Sequence, residues 1–172
     1  MFHIVKGDIT QCPVDGIVNA ANPSLLGGGG VDGAIHKAAG LGLLEECKKL
    51  GGCPTGQARI TDGYQLKAKK VIHTVGPIYQ DGLHREADFL RSAYQSSLDL
   101  AREYGLKTLA FPLISGGVYG YPLQECMAIA IENLQAAEKD FQDIYLVLFT
   151  EDLKEMALRI QKDGEERWKK YY

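Results

Sequence analysis

Cysteine is scarce and scattered in this chain of 172 residues: Cys12, Cys47, Cys53 and Cys126 form no CxxC pair and keep no regular spacing to histidine. A disulfide framework and a zinc site therefore have no support, and reduced thiols are expected. Positive charge is not in excess, with 19 Lys and Arg against 22 Asp and Glu and a formal net charge of −3. Proteins that grip nucleic-acid backbones carry a basic footprint, so tight nonspecific binding to nucleic acid is not expected. No apolar run approaches the roughly 20 residues of a membrane-spanning helix. The opening Met1-Phe2-His3-Ile4-Val5-Lys6 reads as a strand, not as a charged leader followed by an apolar segment, so a cytoplasmic protein without a membrane partner is expected. No composition break, repeat or low-complexity linker divides the chain. Residues 1–172 are read as one domain, and 45% hydrophobic with 24% charged residues supplies a core without disorder.

What is present is an alternation of short apolar runs with longer segments of helical period. Strands are expected over Phe2–Lys6, Gly16–Ala20, Ala58–Asp62, Val71–Val75, Thr108–Ile114 and Ile144–Phe149. Helices are expected over Gly33–Leu50, Glu86–Tyr104, Leu123–Lys139 and Asp152–Lys162, with Lys162–Tyr172 as a solvated terminal helix or arm. The fifth and sixth strands are apolar at consecutive positions, as in strands covered by helices on both faces, which predicts a three-layer α/β sandwich.

Two glycine-rich turns carry the functional signal. The first, Gly27-Gly28-Gly29-Gly30-Val31-Asp32-Gly33, follows Asn19-Ala20-Ala21-Asn22 and runs into an Ala-rich helix. Glycines let a backbone approach a ligand with its N–H groups exposed, and a helix start favours anions, which together make a phosphate cradle. Asp32 is poorly suited to plain phosphate capture, since like charges repel, and so points to chemistry beside the phosphates. The second turn, Ser115-Gly116-Gly117-Val118-Tyr119-Gly120-Tyr121-Pro122, lies between a buried strand and a helix, where open α/β sheets place ligands. Two cradles suit an extended ligand: a pyrophosphate between two sugar-like groups, with Tyr119 free to pack on a ribose.

Other nucleotide readings fail. Gly28-x-Gly30-x-x-Gly33 satisfies GxGxxG, yet it lies well past the strand ending near Ala20, and no strand-terminal acid follows at the required spacing. No GK[ST] follows the glycines, and Ser115 lacks the GxSxG frame of a nucleophile elbow. His36 falls one turn after Asp32 but is read as packing or surface, and His73 as structural, because no nucleophile and no third orienting group accompany them. Cys53 has no recognisable base partner.

Read together, Gly7-Asp8-Ile9-Thr10, Val18-Asn19-Ala20-Ala21-Asn22-Pro23, Gly27 to Gly33, Cys53-Pro54-Thr55-Gly56, His73-Thr74-Val75-Gly76-Pro77 and Ser115 to Pro122 resemble the macrodomain family over nearly the whole chain. The match is close to the MacroD-type ADP-ribosyl hydrolases that also deacetylate O-acetyl-ADP-ribose. The resemblance implies a three-layer α/β/α sandwich around a mixed six-stranded sheet, with ADP-ribose lying across its crest.

The resemblance also implies roles. Asp8 would accept a hydrogen bond from the adenine amino group, Ile9 would offer its backbone beside the ring, and Phe149 would pack on it. Read alone, Asp8 is equally an Asx-turn or cap, and Phe149 plain core. Asn19, Ala20, Gly28, Gly29, Gly30 and Val31 would line the ligand from the first loop; Ser115, Gly116, Gly117, Val118 and Tyr119 would do so from the second. Asn22 and Asp32 would form the reaction centre on the distal ribose, although alone they read as a turn residue and a helix N-cap. Two positions depart from the family: Thr150, where relatives often have an acid, and Gly117, where many carry Thr.

The expected reaction is hydrolysis of an ester joining the distal ribose to a protein Asp or Glu, or to acetate, without metal or cofactor. Asp32 would either take a proton or position water and substrate. The partners expected are ADP-ribose, its esters and mono-ADP-ribosylated proteins, bound by a monomer. A non-catalytic ADP-ribose reader and an ADP-ribose 1″-phosphate phosphatase are the alternatives.

Overall fold

A computed structural model describes residues 1–170. Six strands, β1 (Phe2–Lys6), β2 (Gly16–Ala20), β3 (Ala58–Asp62), β4 (Lys70–Thr74), β5 (Thr108–Phe111) and β6 (Asp143–Leu148), form one sheet in the order β1-β6-β5-β2-β4-β3. All neighbours run parallel except β3, which pairs antiparallel with β4 at one edge. The expected mixed six-stranded sheet is therefore present, and its two-residue side-chain period explains the layering. Ile17, Val71, Ala110 and Val147 face one side, under α1 (Gly30–Ala39) and α2 (Leu41–Leu50). Val18, Ile72, Leu109, Phe111 and Leu146 face the other, under α3 (Glu86–Glu103), α4 (Leu123–Ala136) and α5 (Glu151–Lys169). Both faces are dry, as the doubly apolar strands require.

Several boundaries differ from expectation for local reasons. The single helix expected over Gly33–Leu50 is two helices, because Gly40 adopts φ of 85° and ends the first while opening the second. β5 stops at Phe111, before Pro112, which has no N–H to give a ladder. Phe149 lies just outside β6 and is 60% exposed, so it is not core. The charged tail continues α5 to Lys169; Tyr171 and Tyr172 lie outside the described residues.

The topology fixes where a ligand fits. From β2 the chain moves toward β4 and β3, whereas β5 leads toward β6 and β1, so the order reverses between β2 and β5. These two strands pair only at Gly16 with Leu109 and Ile17 with Ala110. Beyond that point their carboxyl ends separate, and both glycine loops leave from the opening.

Candidate active site

The first loop is braced from within. Asn22 accepts from the Ser24 amide at 3.0 Å and hydroxyl through Oδ1, and its Nδ2 donates to the Gly27 carbonyl at 2.8 Å. Leu25, fully buried at φ of 61°, pins the turn to the core. Gly28 then passes between the two residues expected to react: a Cβ there would sit 3.2 Å from Asp32 Oδ2 and 3.3 Å from Asn22 Nδ2. Glycine is what allows this close approach.

Asp32 is not the helix N-cap, a place that Gly29 takes without a side-chain bond. It lies in the first turn of α1, where the helix dipole favours its charge, and is 4% exposed. Its Oδ1 accepts from Asn19 Nδ2 at 2.8 Å and lies 3.4 Å from His36 Nε2. Its Oδ2 is buried and has no partner among the described residues. One carboxylate oxygen is thus anchored, and the other is left beside Gly28 and Asn22.

Two expectations change here. Asn19, expected to line the ligand, is fully buried in β2: its Nδ2 serves Asp32 and His73, and its Oδ1 has no partner among the described residues. His36, read from the sequence as packing or surface, lies beside the carboxylate, and His73, read as structural, is buried one hydrogen bond behind it through Asn19. His36 follows Asp32 by four residues on one helix face, a spacing that exposes the pair in the sequence. His73 is reached only through the β2 to β4 register, which sets it opposite Asn19. Burial, aided by the nearby His36, holds His73 down at about 3, so the ring is neutral.

The second loop comes close to the first, Val31 lining the same cavity as Gly116 and Gly117. Partial burial and the charge of Asp32 push the Tyr119 hydroxyl above its ordinary range, a link from the second turn to the first. Ser115, at φ of 65°, turns its hydroxyl inward to the Pro77 carbonyl at 2.8 Å, and Tyr79 N–H donates to the Tyr119 carbonyl at 2.9 Å. Gly117 and Val118 project into open space, Val118 being 97% exposed. Beside them a cavity of about 130 Å³ gathers Gly7, Ile9, Val31, Gly116, Gly117 and Phe149. Five of the residues expected to touch the ligand therefore share one wall. Exposed Asp8 is a cap: its Oδ1 accepts from the Thr10 amide at 2.9 Å and hydroxyl at 2.7 Å. Ala20 ends β2, and Gly29 and Gly30 open α1.

Two other features lie elsewhere. A groove of about 1190 Å³ separates α4 from the end of α5, away from the carboxylate. Asp81, His84 and Glu86 gather at the start of α3, but the Glu86 carboxylate already accepts from the amides of Gln80, Asp81, Gly82 and His84 at 2.6–3.1 Å. Burial pushes the Glu86 carboxyl up, yet these donors outweigh it and hold it at about 2.

Comparison with known proteins agrees with this geometry. The Macro domain family model matches residues 18–130. A macro domain-containing protein of Chlorobaculum tepidum is 56% identical over 149 residues, 87% of each chain. An O-acetyl-ADP-ribose deacetylase of Escherichia fergusonii is 48% identical, covering 96% of this chain and 98% of its own. A mutant Oceanobacillus iheyensis macrodomain solved with ADPR superimposes with a TM-score of 0.90 at 42% identity, over 95% of this chain and 92% of that one. Two glycine loops at the sheet's switch point, a buried acid between them and matches of this extent lead to one conclusion: the chain belongs to the macrodomain family.

Proposed function

We propose that this chain binds ADP-ribose in the crevice between the two glycine loops and hydrolyses esters of its distal ribose. The substrates are O-acetyl-ADP-ribose and proteins carrying mono-ADP-ribose on Asp or Glu. Water supplies hydrogen to one fragment and hydroxyl to the other, giving ADP-ribose and the free carboxylic acid.

One observation carries this reading: Asp32 is buried at the base of the cradle with Oδ1 tied to Asn19 and Oδ2 unpartnered. A carboxylate serving only to hold the fold would have both oxygens satisfied, since an unsatisfied buried acceptor is costly. An oxygen kept open beside a backbone anion cradle is suited to holding a water or a ribose hydroxyl in reacting geometry. The brace formed by Asn22 spends one of its two amide protons on Gly27, leaving the second beside Gly28 for the ribose. Exposed Phe149 and the adjoining cavity suit the adenine end.

The test is release of ADP-ribose from a carboxylate-linked mono-ADP-ribosylated protein and of acetate from O-acetyl-ADP-ribose. Wild type is compared with Asp32→Ala, with calorimetric binding of free ADP-ribose measured for both. Release by wild type, lost in the variant with binding retained, is the expected result. Binding without release from either substrate would make the protein a reader, and phosphate released from ADP-ribose 1″-phosphate would make it a phosphatase.

A further inference from the structure

Behind Asp32 lies a chain of buried polar groups that ends 29 positions away in sequence, on the edge strand at Thr61. Asn19 on β2, His73 on β4 and Thr61 on β3 all face the side covered by α1 and α2, and each is at most 2% exposed. One arrangement of protons satisfies these bonds, anchored at Asp32 Oδ1, which as a carboxylate oxygen can only accept. In it Asn19 turns its amide protons to Asp32 Oδ1 and to His73 Nδ1, the ring proton sits on Nε2, and Thr61 Oγ1 accepts it at 2.9 Å while giving its own proton to the Asp62 carbonyl at 3.2 Å. A proton on Nε2 leaves Nδ1 as an acceptor, and it faces Asn19 Nδ2 at 3.2 Å.

We infer that Thr61 is a positioning residue for the reaction: it fixes the His73 tautomer, which locks the Asn19 amide, so that Asp32 is held by Oδ1 and presents Oδ2 to the cradle. The inference rests on the reading of Asp32 as the carboxylate at the reaction centre. The opposite tautomer would place an N–H on Nδ1 against the Asn19 N–H, forcing the amide to turn. The Asn19 oxygen would then face Asp32 Oδ1, two acceptors in contact. Among the described residues the other group at Nε2 is the Cys47 thiol, a weak donor and acceptor that favours neither tautomer strongly. Cys47 Sγ lies 3.8 Å from Nε2, and burial, then Glu46 and Asp32, push its thiol up to about 11, so it stays uncharged. A neutral His73 is what such a lock requires.

The test is a pair of substitutions in the full chain, Thr61→Val and Thr61→Ser, with ring nitrogen NMR of labelled histidine and steady-state hydrolysis of O-acetyl-ADP-ribose. Wild type is expected to show the Nε2–H tautomer. Thr61→Val is expected to admit the Nδ1–H form and to lower kcat roughly tenfold with KM and ADP-ribose affinity nearly unchanged, because geometry is lost and the cradle is not. Thr61→Ser is expected to restore both. An Nδ1–H ring in wild type, or Thr61→Val with wild-type kcat, would overturn the inference. If Thr61→Val fails to fold, the wild-type ring and the Thr61→Ser rate still decide it. If wild type hydrolyses no ester, the proposed function fails, and the ring spectra then judge the tautomer lock separately.

Discussion

Replacing Gly33 with alanine is expected to damage function far more than folding. A Cβ on Gly33 would lie 2.5 Å from the Gly28 carbonyl oxygen, where ordinary contact begins at 3.4 Å, so loop and helix must part by about 0.9 Å. Gly28 passes beside Asp32 Oδ2 and Asn22 Nδ2, close enough that an added Cβ would meet both, so its displacement alters the space between the loop and the carboxylate. A misplacement of about 1 Å at a reacting centre costs on the order of 100-fold in rate. Stability changes less, because two effects oppose: overpacking costs about 1–3 kcal/mol, and alanine in place of glycine in a helix returns about 0.5–1 kcal/mol. The net, about 0–2.5 kcal/mol, corresponds to a Tm loss of at most about 10 °C in a chain of this size. The assay is kcat/KM on O-acetyl-ADP-ribose well below Tm, with calorimetric ADP-ribose binding and a thermal melt on the same preparation. Gly164→Ala is the control, since nothing lies within 4 Å of its Cβ in α5; it should gain slightly in stability and keep full activity. Wild-type kcat/KM in Gly33→Ala would refute the argument, showing that the loop absorbs the methyl without moving the site.

Three further outcomes are expected. Glu86→Gln should lower Tm at neutral pH, and the deficit should shrink as pH falls. With the folded carboxyl held at about 2 against an ordinary 4.5, the contribution is complete above about 4.5 and vanishes on descent toward 2, which melts at a series of pH values would reveal. Leu43→Ala, at a fully buried position on the inner face of α2, should cost about 2–5 kcal/mol in urea unfolding while leaving turnover by the folded fraction intact. Gly117→Thr meets nothing within 4 Å and should leave Tm unchanged, while its added hydroxyl tightens ADP-ribose about 2- to 10-fold by calorimetry.

The strands were legible because alternation along Ile17-Val18 and Val71-Ile72 has to feed two apolar layers, and the two glycine loops were legible because their chemistry is local. The break at Gly40 was available too, but the apolar period of α1 and α2 runs on across it and masks the change of direction. Phe149 was placed beside the ligand through the family resemblance alone, since an aromatic closing an apolar strand otherwise suggests core; the strand ends at Leu148, and the ring is left outside. The polar chain behind Asp32 was not legible at all. Asn19, Thr61 and His73 become neighbours only through the register of β2, β4 and β3, and no spacing in one dimension encodes which strands will lie side by side. The pairing of Asp32 with His36 could be read from helical spacing, yet without Asn19 it offers no third member and invites dismissal.

The pairing of β1 with β6 alone has a consequence for how the protein is made. Phe2 lies opposite Ile144 and Lys6 opposite Leu148, so the first strand of this sheet to be synthesised has to wait for the sheet's last one. Until then Phe2–Lys6 is an unsatisfied edge on a nascent chain, exposed throughout the synthesis of everything between. Closing so long a loop is entropically slow, and completion of the sheet is therefore a late event in folding. The second glycine loop emerges well before that event, and the wall built from Gly7, Val147 and Phe149 is finished only with it. Shortened chains that end before β6 would carry both glycine loops and still lack that end of the binding crevice.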